Sequence, residues 1–399
     1  MLVLAIIVTL LAGGVGLEWI LRNLLALRVW RAMFHLTSDY PLTLEDWPTI
    51  SLVIPARNEE ANIEACLTSL LEQDYPRLEV VVVNDRSTDA TGRIIREIAA
   101  KDARVRVLDI EHLPEGWCGK NHAMQRGIEQ TSGEWILMHD ADCRQICPRT
   151  LRLAMQHAVD TQAHMLSLMP EHQYESFWER YLLPTLSGVL MIWFRPSHVN
   201  DPRRRVAFAN GMFILIRRVA YEAIGTHEAV RGSLIEDMDI ARLVKGRGLN
   251  LRVAPSTALF TVRMYTSLAQ IVRGWERIFI GAFRSVLGLT KVLLVLIGRG
   301  LTPIATTAIG WAMVATDADP ATWWLAAAIL GSTSLLAQLV MTARFSLHLK
   351  SRWIYGLTYP VACLLVAALL VKALSKLCLG GRIVWRNTAY CIAPRPPKR

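Results

Sequence analysis

Leu78-Glu79-Val80-Val81-Val82-Val83-Asn84-Asp85-Arg86-Ser87-Thr88-Asp89 passes within twelve residues from an apolar, β-branched run to a cluster of carboxylates and hydroxyls. Such a run reads as a strand buried on both faces, and the polar cluster marks where it leaves the sheet. The same grammar appears on either side. Residues 50–54 form a short apolar strand followed by Pro55-Ala56-Arg57-Asn58-Glu59, and residues 135–138 form another followed by His139-Asp140-Ala141-Asp142. Residues 105–108 supply a further strand. Between them, Ile63, Leu67, Leu70 and Leu71, then Ile94, Ile95 and Ile98, recur at helical spacing, and a helix is expected over 121–130. Strands alternating with helices predict a parallel sheet with right-handed crossovers, without internal repeats. In such sheets ligands bind beyond the carboxyl ends of the strands, so three polar clusters converge on one crevice. Any one of them could be turn chemistry, and Ser87, Thr88 or Asp89 is expected to cap a helix in any case.

Asp140-Ala141-Asp142 is the sharpest of the three. Two carboxylates at i and i+2 beyond a buried strand can approach one divalent ion, and Mg²⁺ or Mn²⁺ prefers oxygen ligands that it shares with substrate phosphates. Gly116-Trp117-Cys118-Gly119-Lys120-Asn121 is a glycine-flanked loop opening a helix. Backbone N–H groups and a lysine there suit a diphosphate, although the spacing is not that of a Walker A loop. Further on, Ile235-Glu236-Asp237-Met238-Asp239 precedes an amphipathic helix, an arrangement that also favours the helix start by itself.

Composition places this domain beside a membrane. Of 399 residues 52% are hydrophobic and 20% charged, and the formal charge is +10. That excludes a disordered chain. Ten basic and no acidic residues follow Ala321, leaving 34 against 34 before it, so the excess flanks apolar segments rather than forming a nucleic-acid surface. Residues 1–17 are uncharged and apolar, extended past Glu18 by Trp19, Ile20 and Leu21, with Arg22, Arg28 and Arg31 behind them. This reads as an uncleaved anchor whose following chain lies in the cytoplasm. Three apolar blocks, 286–315, 323–343 and 353–371, lie near the other end. The acidic connector Asp317-Ala318-Asp319-Pro320 suits the outside and residues 344–352 the inside; three crossings would then leave the basic tail outside. A hairpin or interfacial helix in the first block, which carries Lys291 and Arg299, would reverse the connectors. The sequence admits both arrangements. Seven cysteines without a CxxC pair read as reduced cytosolic thiols, and His122, His139 and His227 read as structural or solvated.

Pro55-x-x-Asn58-Glu59, Val83-Asn84-Asp85-x-Ser87-x-Asp89, Gly119-Lys120-x-x-Ala123, Asp140-x-Asp142 and Glu236-Asp237 together resemble glycosyltransferase family 2, over roughly residues 48–285. The GWxGK loop and the anchors are most similar to its hopene-associated and ceramide-glucosyltransferase-like members, and residues 380–386 are similar to a tail seen there. The resemblance implies an α/β GT-A domain, a Rossmann-like mixed sheet binding a nucleotide-diphospho-sugar. It implies that Asp85 reads the uracil of a UDP-type donor, that Pro55, Asn58 and Glu59 line that pocket, and that Lys120 and Asp140 lie near the donor. Asp142 would hold the metal, with Asp140 beside it. Asp237 stands where the family has its general base, with Glu236 next to it, and Gly211 in Asn210-Gly211-Met212-Phe213 lets the sugar approach. Asn84 replaces the aspartate of many members.

Processive members carry QxxRW; here Gln270-Ile271-Val272-Arg273-Gly274-Trp275 has a glycine between arginine and tryptophan. Arg273 and Trp275 could contact a sugar, or the segment could be an amphipathic membrane-surface helix. Residues 174–194 read as a docking helix because Glu175, Glu179 and Arg180 interrupt the apolar run. The expected organisation is an anchor over 1–21, a linker over 22–47, a GT-A domain over 48–265, an interfacial segment over 266–285, a membrane region over 286–371 and a basic tail over 372–399. The expected activity is transfer of one sugar to a membrane lipid hydroxyl at the cytoplasmic face of the inner membrane. A processive polysaccharide synthase and a non-catalytic membrane scaffold or transporter are the alternatives.

Overall fold

A computed structural model describes residues 1–385 and 388–392. Arg386, Arg395, Lys398 and Arg399 of the expected basic tail lie outside the described residues. The chain forms two compact units, one comprising Phe34–Gln173 and Phe194–Met264 and the other Met1–Met33, Tyr174–Trp193 and Tyr265–Arg399.

The first of these is an α/β unit. Its strands are β1 (Ile50–Ala56), β2 (Leu78–Asp85), β3 (Val105–Ile110), β4 (Trp135–His139), β5 (Cys143–Gln145), β6 (Met165–Met169), β7 (Glu171–His172), β8 (Phe213–Arg217), β9 (Leu251–Pro255) and β10 (Phe260–Val262). Seven of them form one sheet in the order β3-β2-β1-β4-β8-β6-β9, and β5, β10 and β7 form a smaller one. The first four strands are parallel as their periodicity requires, whereas β8 runs antiparallel to both β4 and β6. The sheet is therefore mixed. Both faces are covered: Leu52, Ile54, Val80, Val82, Trp135 and Leu137 enter one core, and Val53, Val81, Val83, Ile136 and Met138 enter the other. This is why the strands read as continuous apolar runs rather than alternating ones. Pro55 pairs with Val83 of β2 but lies beyond the last β4 pairing, Val53 with Met138, so its missing N–H leaves no ladder bond unmade on that side.

The helix Gly119–Glu129 packs on β1 and β2 through Gly127, where a Cβ would lie 2.5 Å from Val53 Cγ1 and 2.7 Å from Val83 Cγ2. The close approach presses the helix onto the sheet and sets the position of its first turn at the strands' carboxyl ends.

The second unit is helical. Among the described residues three helices are long and apolar enough to cross a membrane, Leu2–Ala26, Ala321–His348 and Trp353–Leu379, or four if the bent pair Leu268–Phe283 and Val286–Gly300 forms one span. The N-terminal helix continues to Ala32, into the stretch expected to be a linker. Leu2–Ala32 and Ala321–His348 lie parallel, since Thr9 Oγ1 donates to the Trp323 carbonyl (3.1 Å), Asn23 Nδ2 to that of Ala337 (2.7 Å), and Arg344 Nη1 to that of Asn23 (3.4 Å). The acidic connector before Ala321 is thus at the same end of the pair as Met1, and residues 344–352 are at the end from which the chain enters the α/β unit. The 286–315 block is two helices, Val286–Gly300 and Thr302–Ala315; Pro303 suits a first turn and cannot extend the preceding helix. Leu268–Phe283 meets Val286–Gly300 at 115°, with Arg284 at φ 59° and Ser285 Oγ capping the Gly288 N–H.

The helix Phe177–Trp193 belongs to this unit, although its residues fall within the stretch 48–265 expected to form the GT-A domain. Its carboxylate is neutralised locally: buried Glu179 accepts from the backbone N–H groups of Glu175 and Ser176, so the apolar remainder is able to pack, with Phe177 and Tyr181 against Tyr355.

Gly127→Val is expected to destabilise the α/β unit by about 3 kcal/mol, because neither valine facing it can retreat from the sheet. Thermal unfolding of the purified protein would register it as a lowered Tm.

Candidate functional site

The ends of β1 and β2 are stitched together by their own polar residues. Ser87 Oγ accepts from the Asn58 N–H (3.1 Å), Asn58 Oδ1 from the Thr88 N–H (2.8 Å), and Thr91 Oγ1 from the Glu59 N–H (2.8 Å). Asp89 accepts from the N–H groups of Glu60 and Thr91, and Glu60 from that of Ala90. Asn58 and Arg86 both take positive φ, 54° and 55°, which turns the two loops sharply. Asn58, Ser87 and Asp89 hold this edge in shape. Asp85 and Glu59 are buried at it, 3% and 6% exposed. Asp85 is met by the adjacent guanidinium, Arg86 Nε to Oδ1 at 2.7 Å and Nη2 to Oδ2 at 3.0 Å.

Across the sheet, β4 delivers Asp140 and Asp142. Lys120, in the first turn of Gly119–Glu129, places Nζ 2.6 Å from Asp140 Oδ1 and 2.8 Å from Glu236 Oε1. Burial pulls the Lys120 pKa down, but the charges and hydrogen bonds of Asp140 and Glu236 outweigh it and hold the ammonium above its ordinary range. Asp237, beside Glu236, accepts from the Gly211 N–H through Oδ2 (3.0 Å) and from the Met238 N–H through Oδ1 (2.7 Å). A Cβ on Gly211 would lie 3.2 Å from Asp237 Oδ2 and 3.3 Å from Lys120 Nζ, so a side chain there would crowd both charged groups. Because His139 of β4 pairs with Phe213 of β8, the Asn210-Gly211 turn lies next to Asp140. Lys120, Asp140, Gly211, Glu236 and Asp237 are therefore one cluster. Asp142 and Glu59 border it: the Cys66 thiol beneath is pushed up by burial and then by the charges of Asp142, Glu59 and Asp140.

Arg273 and Trp275 belong to the helical unit. Gln270 Oε1 accepts from the Thr266 N–H (2.8 Å) and Ser267 Oγ from the Gln270 N–H, which makes the start of QIVRGW a helix cap. Gly274 makes room for Tyr265, whose hydroxyl would lie 2.2 Å from a Cβ there. Trp275 is buried against Phe279, and a buried ring offers no face to a sugar; Arg273 is exposed.

Asp140 and Asp142, the residues expected to hold a metal, directly follow β4. Among the described residues no group of three or more His, Cys, Asp or Glu could hold a metal ion on its own. Two carboxylates beside an open turn do fit an ion that completes its shell with phosphate oxygens and water, as Mg²⁺ does.

Residues 51–225 match the model of glycosyl transferase family 2. Over these residues the chain carries a glycosyl transferase family 2 domain. It is 29% identical over 235 residues to the 4,4'-diaponeurosporenoate glycosyltransferase of Staphylococcus aureus strain USA300, covering 57% of this chain and 60% of that one. The protein of the same name from the bovine strain RF122 is 28% identical over 236 residues, with the same coverage. The match thus spans about three-fifths of these curated relatives. Among solved structures, a mannosyltransferase from Pyrobaculum calidifontis in complex with GDP-Man and Mn²⁺ aligns with a TM-score of 0.53 at 19% identity, covering 91% of this chain and 97% of that one. The α/β unit has the GT-A fold.

Three residues that shape the family 2 site carried no sequence signal of their role. Asn121 is fully buried and donates through Nδ2 to the carbonyls of Val230 (2.8 Å), Arg231 (3.1 Å) and Ser233 (3.0 Å), fixing the loop ahead of Glu236. Ser233 Oγ donates to Asp239 Oδ2 (2.8 Å), where Arg242 also binds, so Asp239 serves the loop as well as the helix start. Ser167 of β6 exchanges hydrogen bonds with the backbone of Asn210. The lysine-asparagine pair at 120–121 was visible; that its amide reaches 110 residues along the chain was not.

His139 and His227 are fully buried, and burial draws both pKa values down to about 4 despite the carboxylates of Asp140 and Glu236. An unfolded histidine titrates near 6.5, so below that pH the unfolded chain binds protons that the folded one refuses. Stability is therefore complete above about pH 6.5 and falls as the pH drops toward 4, by about 2 kcal/mol per histidine at pH 5. Thermal unfolding at pH 7 and pH 5 would show this loss, reduced in His227→Gln.

Proposed function

We propose that the protein is a membrane-bound, inverting glycosyltransferase that moves a single sugar from a nucleotide-diphospho-sugar, UDP-type, to a hydroxyl group of a membrane lipid. The observation that carries this reading is Asp237, held by two backbone N–H groups at the open Gly211 turn and next to the Lys120, Asp140 and Glu236 cluster. Asp237 can take the proton of the acceptor hydroxyl as its oxygen attacks the anomeric carbon. The bond from that carbon to the diphosphate breaks with its electron pair leaving on the phosphate oxygen, and one displacement inverts the centre. Lys120 supplies fixed positive charge on the donor side. Asp85, Glu59 and Pro55 would line the base end of the donor pocket. Asp142, with Asp140, would hold Mg²⁺ or Mn²⁺, which when bound offsets charge on the leaving diphosphate.

A lipid acceptor is supported by the apolar helices flanking the site in sequence and by the relatives' name, which specifies diaponeurosporenoate. A single transfer is supported by the use of Gln270 and Trp275 in capping and packing. Placement of the catalytic unit in the cytoplasm is supported by the parallel helix pair. Arg22, Arg28, Arg344, Lys350 and Arg352 fall at the end of the pair marked by the Asn23–Arg344 bond, and Asp317 and Asp319 at the other.

Membranes holding the protein, given labelled nucleotide sugars and host lipid extract, are expected to place label in the organic phase, identified by mass spectrometry. Label confined to water-soluble polymer would refute the lipid acceptor. Asp237→Asn is expected to lower turnover about 10²–10⁴-fold while the protein still binds donor, the range for loss of a general base. EDTA is expected to abolish transfer and Mg²⁺ or Mn²⁺ to restore it, with Asp142→Asn needing more metal.

A further inference from the structure

The exposed arginines of the α/β unit are mostly paired. Arg77, Arg93, Arg96, Arg106 and Arg126 each lie within 3.2 Å of a carboxylate. The segment Arg195-Pro-Ser-His-Val-Asn-Asp-Pro-Arg203-Arg204-Arg205 differs. Its four arginines are exposed, and its only carboxylate, Asp201, meets Arg204 at 3.4 Å. Arg195, Arg203 and Arg205 have no ion-pair partner among the described residues.

The segment is built to hold these charges together. Asn200 bonds both ways with Val253 of β9, Nδ2 to O at 2.9 Å and Oδ1 from N at 2.7 Å. Lys245 Nζ donates to the carbonyls of Asp201 and Arg204, both at 2.8 Å, and brings a further cation underneath. Asp201 Oδ1 accepts from the Arg203 N–H, and Val199 is fully buried beneath the turn. His198 lies among the cations and is driven down by burial and then by Arg204 and Arg195. Clustered like charges oppose the compact state unless an opposite charge lies against them.

Chain connectivity indicates the source of that charge. Arg195 comes two residues after Trp193, the last residue of an apolar helix whose ring packs edge-on against Phe283 and carries Lys291 on its face. Tryptophan, lysine and arginine in such company mark the headgroup level of a bilayer. We infer that residues 195–205 form a docking surface for the anionic phospholipid headgroups of the membrane that holds the helical unit. The surface follows the membrane reading above and is independent of which sugar or acceptor is used.

The test is hydrogen exchange of the full chain in nanodiscs of phosphatidylcholine, with or without phosphatidylglycerol. Amides of residues 195–206 are expected to exchange several-fold more slowly with phosphatidylglycerol, since one arginine near an anionic surface changes occupancy about 5-fold. The difference should vanish in about 1 M NaCl, where the Debye length is about 3 Å. Equal exchange in the two bilayers would overturn the assignment, as would protection by inorganic phosphate alone in phosphatidylcholine discs. The triple variant R203Q/R204Q/R205Q should lose the lipid dependence, and its retention would assign the contact elsewhere. Because the readout is exchange, an inactive enzyme does not obscure it.

Discussion

The ammonium of Lys120 joins two carboxylates that arrive by unrelated routes, Asp140 from the end of β4 and Glu236 from the first turn of Glu236–Gly246. Two carboxylates about 4 Å apart repel by about 4 kcal/mol at an effective dielectric constant of about 20, so they share a pocket only with a cation between them. Here the cation is carried by a helix whose approach is set by Gly127. The end of β4 and the start of Glu236–Gly246 are thereby one electrostatic unit. Asp237 takes its place next to Glu236, and Gly211 brings its backbone N–H against the Asp237 carboxylate.

The motifs divide their labour. Asn58, Ser87, Asp89 and Thr91 accept hydrogen bonds from the backbone N–H groups of the two loops and hold them rigid, while Glu59 and Asp85 remain as buried acids at the edge those loops define. Asn121 does for the loop before Glu236 what Ser87 does for the loop after β1. A precise site needs side chains locked by such bonds, because loops with free backbone groups wander.

The helical unit solves a different problem. Several of its polar groups find partners on neighbouring helices: Gln338 Nε2 donates to the carbonyls of Arg299 and Gly300, Trp19 Nε1 to that of Arg299, and Glu18 pairs with Arg299 as well as with Arg22 of its own helix. Small residues let the helices close, as at Gly310, where a Cβ would meet the Ala328 backbone at 2.5 Å. The QIVRGW segment belongs to this packing, and its glycine exists for Tyr265.

The four leading strands, their helices and the carboxylates at their ends were legible because strand burial and helical period are local properties, written in runs such as Leu78–Asp85. The placement of β8 between β4 and β6, the transfer of Phe177–Trp193 to the helical unit and the parallel pairing of the first apolar helix with Ala321–His348 were not. Neither was the reach of Asn121 to residues 230–233 or the bridging position of Lys120. Those depend on which surfaces meet after long stretches of chain have closed on one another. Hydrophobic period says that a face must be covered but not by what, and a charge in the sequence does not name its partner. The residue types were fixed locally; their company was chosen by packing.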